Sequence, residues 1–393
     1  MRNGLNISGV SELVHEIQTV PKEALIRFHT TGQLDHGRVS VDVRTARHGT
    51  FRMARGFGLR MDPLRLDERD TLSAYEATVA AIGACVLITH VHGYTARGVL
   101  LSELSVRVSA EVGTGADGGR PDGGNVFGGL RYRIDVSCDG DREQLASVSQ
   151  FATCFSPNHR ALLDPAEVGV TGVVRRSDGS TETVEVDLGD LPTGGSGEPV
   201  TVEAALRWEY GLECEALTRI GTEQPWRSRF TVDQSKQMVG IDKGPNPQEV
   251  LLAAISGDLG TGIADAAAAA GVPVSGVEVD GRGQLDIRGM MNISKEVPAR
   301  FHEIRFVVAV DSDAPLDAVR GVLEAAARSS APLALIRPAR EVEVEVHADG
   351  EEISGFTSSL AQATAFLVEV ARAQEAAAAA AAEEGAAPAP VPA

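Results

Sequence analysis

With 393 residues, 43 % of them hydrophobic, the chain has enough apolar material for two or three packed domains. A net charge of −19 argues against nucleic acid or an anionic membrane surface as partner, since both need a concentrated basic face. Four cysteines (Cys85, Cys138, Cys154 and Cys214) are too few for a secreted disulfide scaffold. The opening MRNGLNISGVSELVHE lacks the charged start and apolar run of a signal peptide, and no stretch of about 20 residues reads as a membrane span. A cytoplasmic protein without a membrane partner is expected, and any disulfide in it should be transient and chemical.

In chain order, residues 8–19 put Val10, Leu13, Val14 and Ile17 on one stripe of a short packing helix. Residues 24–29 and 38–45 alternate apolar and polar around GQLDHG, which predicts a β-hairpin that residues 50–60 extend. A charged approach at 67–70 leads to residues 75–98, YEATVAAIGACVLITHVHGYTARG. A helix there is apolar on nearly every side, so it belongs inside a domain, and it ends at Gly93 and Gly98. Strands at 104–112 and 130–137 flank the glycine-rich GTGADGGRPDGGN. A helix over 141–153, with Leu145 and Val148 inward, carries Cys154 at its end, and strands at 168–175 and 182–188 close this half.

Residues 191–199, LPTGGSGEP, have the composition of a linker. The order then repeats: strands at 213–220 and 227–232, an apolar helix at 247–270, strands at 277–287 and 304–310, a helix at 316–328 and a strand at 341–347. A final helix at 357–384 runs into an alanine- and proline-rich end that is expected to fray.

A constant shift of 173 positions lays the first apolar helix over the second without a gap. Glu76 falls on Glu249, Ala80-Ala81-Ile82 on Ala253-Ala254-Ile255, Gly98-Val99 on Gly271-Val272 and Val106 on Val279. Two long copies mean a duplicated domain rather than a solenoid. The expected division is 1–190, a linker at 191–199, 200–350, and a C-terminal helix and tail at 351–393. Under the shift Cys85 meets Asp258 and Cys154 meets Ala327, so only the first copy keeps the thiol pair.

A lone cysteine usually just fills space, and that is the plain reading of Cys138 and Cys214 in their strands. Two cysteines on separate helices of one domain fit a redox thiol with a resolving partner better than chance placement does. Metal binding is the other option: His92 lies seven residues after Cys85 and His159 five after Cys154, and two cysteines with two histidines can make a tetrahedral zinc site. These spacings lack the tight C-x₂-C and H-x₃-H forms, and His90 and His92 read more simply as exposed residues at a helix end, so neither a metal nor another cofactor is expected.

Several of these residues resemble the OsmC/Ohr superfamily of osmotically inducible and organic-hydroperoxide-resistance proteins. The resemblance is carried by Tyr75-Glu76 and Ala80 to Cys85, by Cys154-Phe155-Ser156-Pro157-Asn158, and by Gly244-Pro245-Asn246-Pro247-Gln248-Glu249, which is similar to the family's N-P-x-E helix start. It covers 22–187 and 202–347. It implies an α+β fold of two tandem OsmC-like two-layer domains that pair within the chain as a pseudo-dimer, further homo-oligomers remaining open. It also implies a chemistry: Cys85 attacks an organic hydroperoxide and becomes a sulfenate, Cys154 condenses with it to a disulfide, and an external dithiol reduces the bridge. Apolar peroxides are expected because apolar central helices line the pocket.

In the family a glutamate and an arginine serve the reactive thiol. The glutamate's usual place is Tyr75 here and Gln248 in the other copy, while Glu76 and Glu249 stand one residue later, so Glu76 is either catalytic or an ordinary first-turn carboxylate. Arg38 is the nearest candidate arginine, with Arg52 or Arg55 as alternatives. Three functions follow: a thiol peroxidase with a silent second copy, a cysteine enzyme of a specialised biosynthetic or sulfur-transfer step, and a non-catalytic binder of an apolar small molecule.

Overall fold

The computed structural model describes residues 1–62, 72–114, 127–190 and 197–383. The charged approach at 67–70, most of the glycine-rich loop, residues 191–196 of the linker and the end of the chain lie outside the described residues. In the first half the elements are α1 (Ile7–Thr19), β1 (Leu25–Asp35), β2 (Arg38–His48), β3 (Phe51–Arg52), β4 (Phe57–Met61), α2 (Ala74–Ala96), β5 (Leu101–Val112), β6 (Phe127–Cys138), α3 (Arg142–Phe155), α4 (Pro157–Leu163), β7 (Glu167–Arg175) and β8 (Thr181–Glu185). The second half has β9 (Val200–Tyr210), β10 (Glu213–Ile220), β11 (Ser228–Val232), α5 (Pro247–Ala270), β12 (Gly276–Asp286), α6 (Ile287–Met290) and β13 (Phe301–Asp311). It continues with α7 (Leu316–Arg328), α8 (Ala331–Leu335), β14 (Val342–Ala348), β15 (Glu351–Ser358) and α9 (Leu360–Glu383).

Neither half builds a sheet alone. One sheet runs β3-β2-β1-β12-β13-β7-β8, with β4 also on β2; the other runs β11-β10-β9-β5-β6-β14-β15. The hairpin of each half thus pairs edge to edge with the middle hairpin of the other half: Phe28 lies opposite Gly283 in one seam, and Val106 opposite Leu206 in the other. The joins β13–β7 and β14–β6 are parallel; all other pairings are antiparallel. Alternation places Val39, Val41 and Val43 of β2, and Val106, Val108 and Ala110 of β5, inward.

The central helices lie side by side between the sheets, α2 against β5, β9 and β10, and α5 against β1, β2 and β12. In α2 every residue except His92 and Ala96 is buried, which is why its sequence has no polar stripe. By length and composition α2 and α5 could each cross a membrane, contrary to the sequence expectation, but their most apolar windows are 100 % and 83 % buried inside the protein. Close packing explains Gly83 in α2: a Cβ there would come within 2.4 Å of Leu206 Cδ2.

The sequence reading missed some boundaries. The first hairpin narrows to a two-residue turn at His36-Gly37, both with positive φ, so its strands are longer than expected. The start of the expected C-terminal helix is instead strand β15, because Asp349-Gly350 forms another two-residue turn of the same kind after β14. Strand β9 was also not anticipated.

Both central helices begin with the same device. Ser73 Oγ accepts from the Glu76 amide, and Glu76 Oε2 accepts from the Ser73 amide at 3.0 Å; Asn246 and Glu249 make the matching pair. The free oxygen of each carboxylate crosses to the other half: Thr218 on β10 donates to Glu76 at 3.2 Å, and Thr45 on β2 donates to Glu249. Thr45 and Thr218 are related by the same 173-residue shift as the two glutamates. Arg55 adds an ion pair to Glu249 at 3.5 Å, and the Arg227 charge acts on Glu76. Burial raises the pKa of both carboxylates, with these partners pulling the other way.

Glu249→Ala removes a cap and half of the counter-charge of buried Arg55, and is expected to cost about 3 kcal/mol, with Thr45→Val costing about 1. Urea unfolding measures both; equal and negligible losses would show that the cross-tie carries no stability.

Candidate functional site

Cys85 lies in the middle of α2, 2 % exposed, where three chain segments meet. The α3 helix ends at Phe155, and the chain turns at Ser156 so that α4, started by Pro157, points its first amides at the sulfur. The Asn158 amide donates to Cys85 Sγ at 3.4 Å, and Gln248 Nε2, from the first turn of α5 in the other half, donates at 3.2 Å. The His159 amide and the Ser156 hydroxyl lie close enough to act on the thiol as well, although Ser156 Oγ makes no well-formed hydrogen bond. Asn158 fixes the arrangement. Its side-chain amide donates to Ala81 O at 3.0 Å and to Pro247 O at 2.9 Å, tying α2, α4 and α5 together, and its Oδ1 accepts from Gln248 at 3.4 Å.

Burial dominates the electrostatics of the sulfur. It pushes the Cys85 pKa up to about 11 against the pull of Ser156, Asn158, Gln248 and His159. At pH 7 only roughly one thiol in 10,000 is ionised, so the resting sulfur is a neutral thiol surrounded by groups suited to an anion. Behind it the Tyr132 hydroxyl meets His159 Nδ1 at 2.9 Å, and His159 Nε2 meets Ser358 Oγ at 2.9 Å. Burial lowers the His159 pKa to about 3, so this ring is neutral and bridges the two hydroxyls.

The other candidate residues lie in different surroundings. Cys154, whose pKa burial raises to about 12, faces Ala363 O at 3.9 Å in a small apolar cluster with Phe155, Leu163 and Ala299. Both Cys85 and Cys154 are free thiols. Cys154 packs in that cluster at the end of α3, whereas Cys85 faces the donors of α4 and α5. Glu76 occupies the cap described above, nine residues before Cys85, or about 13 Å along the helix. It is a buried carboxylate rather than a surface one. Arg38 pairs with Asp62 at 2.7 Å, Arg55 with Asp242 at 2.9 Å and with Glu249, and Arg52 is exposed.

The histidines correct another expectation. His90 is fully buried, with Nδ1 donating to Val86 O at 2.8 Å, and burial lowers the pKa of His90 and His92 to about 4. Their place near the end of the sequence stretch suggested exposure, but the helix stays inside the core as far as Thr95, with only His92 of this part half-buried. Among the described residues no three His, Cys, Asp or Glu side chains are placed to hold a metal ion. Gln248 and Asn158 are the site residues that sequence reasoning valued least. Gln248 was visible only as the residue in the position of the family's glutamate, and Asn158 only as part of the second cysteine motif. In the second half the place of Cys85 is taken by Asp258, also buried.

Residues 240–347 match the family described as OsmC-like protein, which supports membership of that family. The match includes Gln248 and the start of α5. No curated protein matches the chain.

A raised thiol pKa makes reactivity depend on alkali. Alkylation of Cys85 by iodoacetamide should speed up about tenfold per pH unit up to pH 10 without a plateau, and Gln248→Leu should slow it several-fold at pH 9. Peptide mass mapping after timed alkylation measures both, and a plateau below pH 8 would rule out the neutral resting thiol. The folded pKa lies above the ordinary value of 9, so the unfolded chain ionises first; stability is intact below pH 9 and falls as pH rises toward 11. Cys85→Ala should flatten this alkaline loss in urea titrations.

Proposed function

We propose that the protein is an OsmC-like thiol redox enzyme that reduces organic hydroperoxides through Cys85. The convergence of the Asn158 and His159 amides, the Ser156 hydroxyl and the Gln248 side chain on one buried sulfur carries this reading. Such donors do little for a neutral thiol. They stabilise the sulfur once it becomes an anion, and they can donate to the oxygen of a sulfenate. The OsmC-like match supports a peroxidase-like or stress-related role at the level of the family.

In this scheme the Cys85 thiol gives up its proton and its sulfur takes the distal oxygen of R–O–OH. The O–O bond breaks, and the proton leaves with the alcohol ROH. The sulfenate then condenses with the Cys154 thiol, releasing water and forming a disulfide, and a dithiol returns both cysteines to thiols by two exchanges. The substrate is an apolar hydroperoxide that enters when the α3–α4 junction opens, and the same opening brings Cys154 toward Cys85. The two copies, 1–190 and 200–350, act as an intrachain pseudo-dimer: the second supplies Gln248 and does no thiol chemistry. Interleaving of the halves in both sheets and the contact from Gln248 to Cys85 support this reading. A reducing cytoplasm is the setting in which such a cycle turns over.

A second reading gives Cys85 a different reaction, such as sulfur transfer in a biosynthetic step. The engagement of Glu76, Glu249 and Arg55 in helix-cap contacts favours it, since these groups are then not held for a peroxide at the sulfur.

Mixing the reduced protein with one equivalent of cumene hydroperoxide distinguishes the two. The peroxidase reading expects loss of two thiols and a Cys85–Cys154 peptide by mass mapping. Cys85→Ser should abolish consumption, and Cys154→Ser should leave a trapped sulfenate. Two intact thiols after an hour with excess peroxide would overturn the peroxidase reading.

A further inference from the structure

The outer face of the first sheet carries an arrangement that the thiol site does not use. Register places Arg52 opposite Arg47, Arg47 opposite Arg27, and Arg27 opposite Gln284, so three guanidinium groups stand abreast on β3, β2 and β1 with an amide beside them on β12. Like charges on directly opposed strands destabilise a sheet. Three other arginines of this face have carboxylates: Arg44 has Asp42 at 3.7 Å, Arg282 has Asp280 at 2.7 Å, and Arg305 has Glu303 at 2.6 Å and Glu167 at 2.8 Å; Arg60, on β4 at the far side of β2, has none among the described residues. Among the described residues no carboxylate lies within ion-pair distance of Arg27, Arg47 or Arg52. The protein carries a net charge of −19, so these three unmatched cations stand out against their own background.

A groove of about 460 Å³ lies over this row, lined by the three arginines, His29, Arg282 and Gln284 among others. The duplicated half has no counterpart. The 173-residue shift puts Val200, Ile220 and Pro225 at the positions of Arg27, Arg47 and Arg52, and on the second sheet Arg219 and Arg207 are paired with Glu203 and Glu209. The basic row is therefore a property of one face of one sheet.

We propose that this groove binds a small anion bearing two or three linked phosphates. Guanidinium groups bind phosphate oxygens bidentately, and the occupant would supply the negative charge that the row lacks. Three adjacent strands span about 10 Å, more than one tetrahedral anion bridges and a fitting length for a short phosphate chain. Gln284 offers a neutral donor at one end of the row, and the partly open groove leaves room for an attached organic group.

Calorimetric titration of the full chain with pyrophosphate, at ionic strength held constant with sodium chloride, tests the proposal. One saturable site is expected, with inorganic phosphate binding at least tenfold more weakly. Arg27→Gln, Arg47→Gln and Arg52→Gln should each weaken pyrophosphate binding by about fivefold or more, and Arg207→Gln on the other sheet should leave it unchanged. Without ligand and at low salt, Arg47→Gln should raise Tm, because it relieves repulsion on both sides. Absence of saturable binding at millimolar pyrophosphate overturns the proposal, as does an Arg207→Gln loss equal to that of Arg47→Gln.

Discussion

Two buried carboxylates hold the halves of this protein in register. Glu76 and Glu249 each close the first turn of a long apolar helix and use the remaining oxygen on a threonine hydroxyl from the opposite half. A helix that is apolar all round has no polar stripe to fix its rotation. Its orientation must come from its ends and from close fits such as Gly83 against Leu206. The crossed caps provide this at the point where each helix begins, and because each carboxylate depends on the other half, neither helix start is complete without both.

The thiol site follows from that constraint. Fixing the start of α5 puts Gln248 beside the middle of α2, and Asn158 bonds to the carbonyls of Ala81 and Pro247 across the same gap. The Cys85 sulfur is thus surrounded by donors from α4 and α5 without a charged neighbour in hydrogen-bond contact. Local dielectric and local donors oppose each other: burial keeps the proton on, while the amides favour its loss. The resting sulfur is therefore a neutral thiol rather than a standing thiolate. The neutral His159 bridge between Tyr132 and Ser358 anchors α4 on the side away from α5, as Asn158 anchors it to α2 and α5.

The two outer faces differ because only the inward residues of each sheet pack on the buried helices; the outward residues are not constrained by that core. On one face Arg207 and Arg219 have carboxylate partners, and the other carries an unmatched row on β1, β2 and β3.

Periodicity in the sequence was enough to locate the two apolar helices and most of the strands, since these depend on residues a few positions apart. It determined that Cys85 would be buried, and it marked Glu76 and Glu249 as first-turn carboxylates. It overlooked the Asp349-Gly350 turn, a local signal, and read His90 as exposed because burial at a helix end depends on what packs there. Which residues meet Cys85 was decided only by tertiary structure. Gln248 is 163 residues away and Asn158 is 73, and the seam that joins them forms when strands of one half pair with strands of the other. No pattern along the chain encodes that pairing, because alternation says which face of a strand is buried and not which strand lies beside it.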